Sequence, residues 1–172
     1  MTVMSVVLTG FMGTGKTTIG RLLAARTGRA FVDTDEVIEQ RAGKSIARIF
    51  DEDGARAFRQ MEAEIAEELG GREGLVIGTG GRLMIDPENE ATLRPENAVI
   101  CLAAQPEEIL KRLDNDAVRR PLLEVEDPLR RVEALLAERA EKYGRFPQVS
   151  TAGRTPEEVA DEILDRFPEV AY

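Results

Sequence analysis

The residues best equipped for chemistry lie close to the start of the chain. Gly10-Phe11-Met12-Gly13-Thr14-Gly15-Lys16-Thr17 has the spacing Gly-x4-Gly-Lys-Ser/Thr of a phosphate-binding loop. The apolar run before it, Val3–Thr9, reads as a buried strand and Lys16–Thr27 as a helix, so the motif falls at the strand-to-helix turn its chemistry requires. Glycines let the backbone curl until successive amides point inward at phosphate oxygens, and the helix N-terminus adds partial positive charge. Lys16 then reaches the β- and γ-phosphates, and the Thr17 hydroxyl binds Mg2+. A glycine-rich turn without a ligand is the plain alternative, and the flanking elements weigh against it.

Loops of this kind serve kinases, switch GTPases, motor ATPases and regulators alike. The guanine-reading Asn/Thr-Lys-x-Asp is absent, Asp51-Glu-Asp-Gly54 falls between predicted helices, and no later apolar strand ends in Asp or Asp-Glu. Instead the second predicted strand runs into Asp33-Thr34-Asp35. Parallel sheets bind ligands at the carboxyl ends of their strands, which brings both aspartates near the loop, and i,i+2 spacing sets them on one side if the strand persists. One is suited to assist Mg2+ through water and the other to hold an acceptor hydroxyl. The plain alternative is that Asp33 ends the strand and Asp35 caps the next helix.

Farther along, Phe58, Met61, Ile65 and Leu69 form an apolar stripe at helical spacing, with Glu62 on it and Arg59 at its border. A buried Glu62 demands a cation, and Arg59 three residues earlier is within reach. The pair is either a structural ion pair or an arginine held rigid to grip a substrate carboxylate. Val132, Leu135, Arg139 and Tyr143 share one face of a later helix, which turns Arg139 inward.

These groups need a scaffold, and the rest of the sequence describes one. β-branched runs at Val3–Thr9, Ala30–Val32, Gly74–Ile77, Ala98–Leu102 and Gln148–Ser150 read as buried strands. Helical patterns lie between and after them at Lys16–Thr27, Glu36–Ala42, Ile46–Asp51, Ala55–Leu69, Pro106–Leu113, Leu129–Lys142 and Pro156–Phe167. Thr155-Pro156-Glu157-Glu158 opens the last helix with a cap hydroxyl, a proline and carboxylates at the positive end of the dipole. This alternation predicts an α/β fold, a three-layer sandwich of five parallel strands flanked by helices, in one domain spanning residues 1–172. The Arg- and Pro-rich stretch Asp114–Asp127 fits no regular element and reads as a functional lid, covering about residues 112–125.

Composition narrows the chemistry further. With 172 residues, 42% of them apolar, the chain buries a core without metals or disulfides. Cys101 reads as a small buried hydrophobe, and the lack of histidine removes the commonest general base and zinc ligand. No apolar run approaches the ~20 residues that span a bilayer, and no secretory signal pattern is present, so a cytoplasmic protein is expected. A net charge of −9 disfavours nucleic acid as a partner. Small anions need only a local basic site, and Lys111, Arg112, Arg119, Arg120, Arg130 and Arg131 fall in one short stretch.

Over nearly the whole chain the sequence resembles the shikimate kinases. The resemblance rests on Gly10–Thr18, Asp33-Thr34-Asp35, Ile38-Glu39-Gln40-Arg41-x-Gly43-x-Ser45-Ile46, Ile49-Phe50, Phe58-Arg59-x-x-Glu62, Thr79-Gly80-Gly81, Arg120-Pro121-Leu122-Leu123 and Glu138-Arg139-x-x-x-Tyr143. It implies a P-loop NTPase fold with a mobile lid, and ATP- and Mg2+-dependent phosphorylation of the 3-hydroxyl of shikimate in aromatic amino-acid biosynthesis, by a monomer. Gly13, Thr14, Gly15, Lys16, Thr17 and Thr18 would hold ATP, Arg112 and Arg154 would lie near the adenine, and Arg120 would descend with the lid. Asp35, Arg59, Gly81 and Arg139 would bind shikimate within a region of about residues 33–62 and beyond, and Asp33 would support the metal through water. Lys16, Asp35 and Arg120 form the implied catalytic set. Two arginines and a backbone amide suit one carboxylate, and an aspartate suits ring hydroxyls, so the chemistry of the residues agrees.

One position departs from the family. The substrate loop usually carries three glycines, and here it reads Gly80-Gly81-Arg82. Arg82 adds bulk and charge and excludes glycine-only dihedrals. It either turns away or pairs with an acidic neighbour, leaving shikimate phosphorylation intact, or tunes the pocket to a related hydroxy acid such as gluconate or quinate. A third reading is a chain that binds nucleotide without turnover.

Overall fold

The β-branched runs become five parallel strands, β1 (Ser5–Gly10), β2 (Ala30–Asp33), β3 (Leu75–Gly78), β4 (Asn97–Ala103) and β5 (Gln148–Ser150). They lie in the order β2-β3-β1-β4-β5, with Val6 opposite Val76 on one side and Ala98 on the other. This computed structural model describes residues 4–116 and 120–172, so the first residue of the expected strand Val3–Thr9, and Arg119 of the basic stretch, lie outside the described residues. Among the described residues eight helices accompany the strands: α1 (Lys16–Thr27), α2 (Thr34–Ala42), α3 (Ile46–Glu52), α4 (Ala55–Gly70), α5 (Pro87–Leu93), α6 (Pro106–Asp114), α7 (Pro128–Tyr143) and α8 (Pro156–Arg166).

Alternate side chains of the central strands feed two separate cores. Val6, Leu8 and Val76 pack with Ile19 and Leu23 of α1 and Val159 and Ile163 of α8. Val7 and Ile77 pack on the opposite face with Phe58, Ile65 and Leu69 of α4, Leu93 of α5, Ile109 of α6 and Leu135 of α7. The period-two side-chain geometry of strands thereby produces the expected three layers. β1 carries buried residues throughout, as a strand covered on both faces must. Chain order reverses at β1, which has β3 on one side and β4 on the other, and a crevice opens where those strands end.

Caps set the helix boundaries that periodicity leaves loose. Thr155 and Glu158 exchange side-chain-to-backbone bonds at the start of α8, with Pro156 at the first position. α2 begins two residues before the expected Glu36, because Asp33 caps it. The sequence reading contains no counterpart of α5, which has too few apolar residues for a period. Its start is nevertheless marked by Asp86, whose carboxylate accepts from the Glu88 and Asn89 amides, and by Pro87. Residues 117–119 of the expected lid lie outside the described residues; on either side of them Asp114 closes α6 and Pro121–Leu123 forms a 3-10 turn, more regular than expected. Among the described residues, no helix is long and apolar enough to cross a membrane.

Candidate active site

At the carboxyl end of β1 the chain turns through Gly10, Gly13 and Gly15 at φ of 134°, 74° and 100°, values L side chains rarely adopt. No side chain caps α1, so its first amides face the loop uncovered, as an anion-binding helix start requires. The loop is braced from behind. Thr14 Oγ1 donates to the Phe11 carbonyl (2.8 Å), Thr151 Oγ1 donates to the Thr14 carbonyl (2.9 Å), and Arg112 donates to the Gly13 carbonyl (3.1 Å). Arg112 also binds the Thr151 carbonyl (2.9 Å) and Glu108 (2.6 Å), so the residue expected near adenine ties α6 and the loop after β5 to the phosphate loop. Arg154 is bonded to the Ser150 and Glu158 carbonyls and to Glu162, and makes no bond to the loop. Thr18 is exposed on the first turn of α1.

Lys16 Nζ donates to the Gly10 and Phe11 carbonyls at 2.8 and 2.7 Å. Burial pushes its pKa down to about 8, against the pull of Asp35 and Asp33. Thr17 Oγ1 donates to Asp33 Oδ2 (2.8 Å), while Asp33 Oδ1 accepts from the amides of Asp35 (2.9 Å) and Glu36 (3.2 Å). Asp33 is therefore at once the cap of α2 and the acceptor of the Thr17 hydroxyl. The condition that the strand persist through Asp35 is not met; of the plain alternative, the strand does end at Asp33, but the cap of the following helix is Asp33 and not Asp35. The strand stops at Asp33, and Asp35 reaches the site from the first turn of α2. One hydroxyl and one carboxylate suit Mg2+, which binds through few protein groups plus phosphates and water. Among the described residues, no group of three or more acidic, His or Cys side chains forms a dedicated metal cage.

Asp35 is the most perturbed carboxyl of the site. Burial, then the charges of Asp33 and Glu62, push it up to about 7, with Lys16 and Arg120 opposing. Its Oδ1 is buried without a hydrogen-bond partner. Gly80 lies so close that a Cβ there would stand 2.7 Å from Asp35 Oδ1 and 3.2 Å from Glu62 Oε1. Beyond Gly80, Arg59 binds the buried Glu62 at 2.6 Å and stacks on Phe58, its centre 5.2 Å from the ring. Burial pushes Glu62 up, with Arg59 restraining it.

Arg139 faces inward as its helical position predicts. It is buried, its centre lies 5.3 Å from the Phe11 ring, and its Nε has no partner. A Cβ on Gly81 would stand 3.4 Å from Arg139 Nη1 and 3.8 Å from the Tyr143 hydroxyl, which donates to the Gly81 carbonyl. Arg120 donates to Asp116 (3.1 Å), keeps a buried Nε without a partner, and exerts its charge on both Lys16 and Asp35. Asp35, Arg120 and Arg139 thus hold three of the five buried unpartnered side-chain atoms among the described residues. Unpaired buried polar atoms are costly, and their concentration here marks a site built for polar ligands.

Arg82 is exposed at φ −110°, ψ −4°, an ordinary conformation, so the loop needs no glycine there. Sequence reasoning assigned no role to Tyr143, Phe11 or Thr151. Tyr143 was legible as the residue one turn after Arg139 on the same face, and Thr151 only through its place after the last strand. A cavity of about 500 Å3 lined by Pro87, Glu90, Ala91, Arg94, Pro95 and Arg145 lies toward the other end of the sheet, and its arginines are bonded to buried Glu90.

The geometry agrees with what the chain is similar to. The family model for shikimate kinase matches residues 12–168. A shikimate kinase of Thermus thermophilus is 46% identical over 163 residues, covering 94% of this chain and 89% of the relative. One from Symbiobacterium thermophilum is 42% identical, covering 96% and 97%. The solved structure of a shikimate kinase from Acinetobacter baumannii in complex with shikimate superposes with a TM-score of 0.90 at 34% identity, covering 96% of this chain and 93% of that one. A gluconokinase from Sinorhizobium meliloti superposes with a TM-score of 0.63 at 19% identity and shares the fold alone.

Proposed function

We infer from its membership of the shikimate kinase family, to which the chain belongs, that it transfers the γ-phosphoryl group of ATP to the 3-hydroxyl of shikimate. The observation that carries the reading is Asp35, whose buried Oδ1 has no partner and whose carboxyl feels the charges of both Lys16 and Arg120. In this reading Arg59, held by Glu62, and Arg139, held over Phe11, grip the carboxylate of shikimate, and the Gly81 amide adds a third donor. Asp35 accepts a hydrogen bond from the acceptor hydroxyl and takes its proton as the O–P bond forms. Lys16 and Arg120 spread the charge that develops on the transferred group, which in a loose transition state outweighs base catalysis. Thr17, and Asp33 through water, would hold Mg2+, whose charge would help to neutralise the phosphates.

Action as a monomer and a cytoplasmic setting, in keeping with a biosynthetic family, belong to the same reading. An ADP-release assay with shikimate, quinate and gluconate tests the proposal. Turnover with shikimate at the highest kcat/KM is expected; preference for gluconate, or ATP binding with no turnover, overturns it.

A further inference from the structure

The segment after Gly81 is fixed more firmly than a rim loop usually is. Leu83 donates to the Gly80 carbonyl (3.1 Å), Ile85 and Asp86 donate to the Arg82 carbonyl (3.1 and 3.4 Å), and Leu83, Met84 and Ile85 are buried behind it. With its backbone locked and the next three side chains packed into the core, Arg82 alone of this turn projects into solvent. Its side chain makes no ion pair or hydrogen bond among the described residues. Asp86, the nearest acidic residue in sequence, has its carboxylate engaged in capping α5. The charge of Arg82 nevertheless acts on Glu62, which lies beside Gly80, and on Tyr143, whose hydroxyl lies beside Gly81. Of the readings open in the sequence, pairing with an acidic neighbour is therefore not what the fold contains.

The acceptor pocket has an electrostatic problem that this position answers. Asp33, Asp35 and Glu62 lie close enough for their charges to act on one another, and the whole chain carries −9, so an anionic acceptor approaches Asp35 through a repulsive field. Arg59 is already paired with Glu62, and Arg139 lies buried beside Gly81. We propose that Arg82 is a specificity-determining residue of the acceptor site, an unpaired rim cation that draws the acceptor carboxylate past the acidic side chains toward Arg139 and Arg59. It acts on encounter and capture, because a solvated rim charge changes association more than the chemical step. The proposal rests on the acceptor being a carboxylate such as shikimate, and the test separates the two claims.

Wild-type turnover of shikimate is measured first, since its absence removes the function itself. In Arg82→Gln at low ionic strength, kcat/KM for shikimate is expected to fall about 3- to 10-fold, within the reach of charge steering, with kcat and the KM for ATP unchanged. Arg82→Lys should restore it. The deficit should shrink at high salt, where the screening length drops to about 3 Å, and should vanish with the uncharged amide of shikimate as acceptor. An Arg82→Gln enzyme with wild-type kcat/KM at low salt overturns the proposal, as does a deficit equal for the acid and its amide, or one that appears in kcat alone.

Discussion

Two residues set the pH response of the site, and their perturbations have opposite signs. Asp35 must be ionised to accept a proton, and burial beside Asp33 and Glu62 raises it to about 7. Lys16 must be charged to hold phosphates, and burial lowers it to about 8. Measured with both substrates below saturation, kcat/KM should therefore rise through pH about 7 and fall above about 8, since this ratio reports the free enzyme. Asp35→Asn should remove the acidic limb along with most of the activity. A profile flat from pH 5 to 7 would return Asp35 to an ordinary carboxylate. Arg120 makes a different demand. With a buried unpartnered Nε and its charge felt at Lys16 and Asp35, it is placed to act on the transferred group. Arg120→Ala should lower kcat about 10^3-fold, the lower end for arginines that stabilise phosphoryl-transfer transition states, and an unchanged kcat removes it from the mechanism.

The elements that carry these residues were legible to different degrees, for physical reasons. β1 and α1 announce themselves because the loop between them can serve phosphate in only one context, and α4 and α7 because a charged residue on an apolar stripe must face a partner or a ligand. α5 escaped because seven residues hold too few apolar positions for a period, although Asp86-Pro87 spelled its start. The turn at Asp33–Asp35 stayed open in the sequence because a strand-end aspartate serves equally as a cap, and in the fold Asp33 caps α2 while accepting from the Thr17 hydroxyl sixteen residues away. Gly80 was visible as a motif member, and its reason appears only in three dimensions: β3 delivers it against two carboxylates carried by α2 and α4. Gly80→Ala should displace Asp35 and Glu62 together and lower kcat/KM for the acceptor by about 10^2-fold, the cost of a misplacement near 1 Å. Nucleotide affinity, measured by ATP titration, should hold; equal loss of both would mean that the whole sheet edge had shifted.

For the whole molecule, the site is a charge on stability. The two cores pack the sheet on both faces, yet at the end of β1 the fold keeps a carboxyl buried with an unpartnered oxygen. That group, Asp35 on the first turn of α2 with its Oδ1 buried, is retained against its own cost, and linkage fixes the pH window in which the cost falls. The Asp35 carboxyl titrates near 7 in the folded chain against an ordinary 3.8, so between these values the folded state binds more protons than the unfolded one. Stability is consequently favoured at the acid end of the window and declines as pH rises through about 7. Asparagine carries no such proton. Asp35→Asn should be indistinguishable from wild type in this respect near pH 4 and more stable at pH 8. With the shift discounted for partial exposure to about 2 kcal/mol, the gain in Tm at pH 8 should be about 4–8 °C for a domain of this size. Thermal melts of both proteins from pH 4 to 8 check it through the slope of the difference. A Tm gap that stays constant across the range would mean that Asp35 titrates alike folded and unfolded, and that the fold keeps no ionisation cost at its acceptor site.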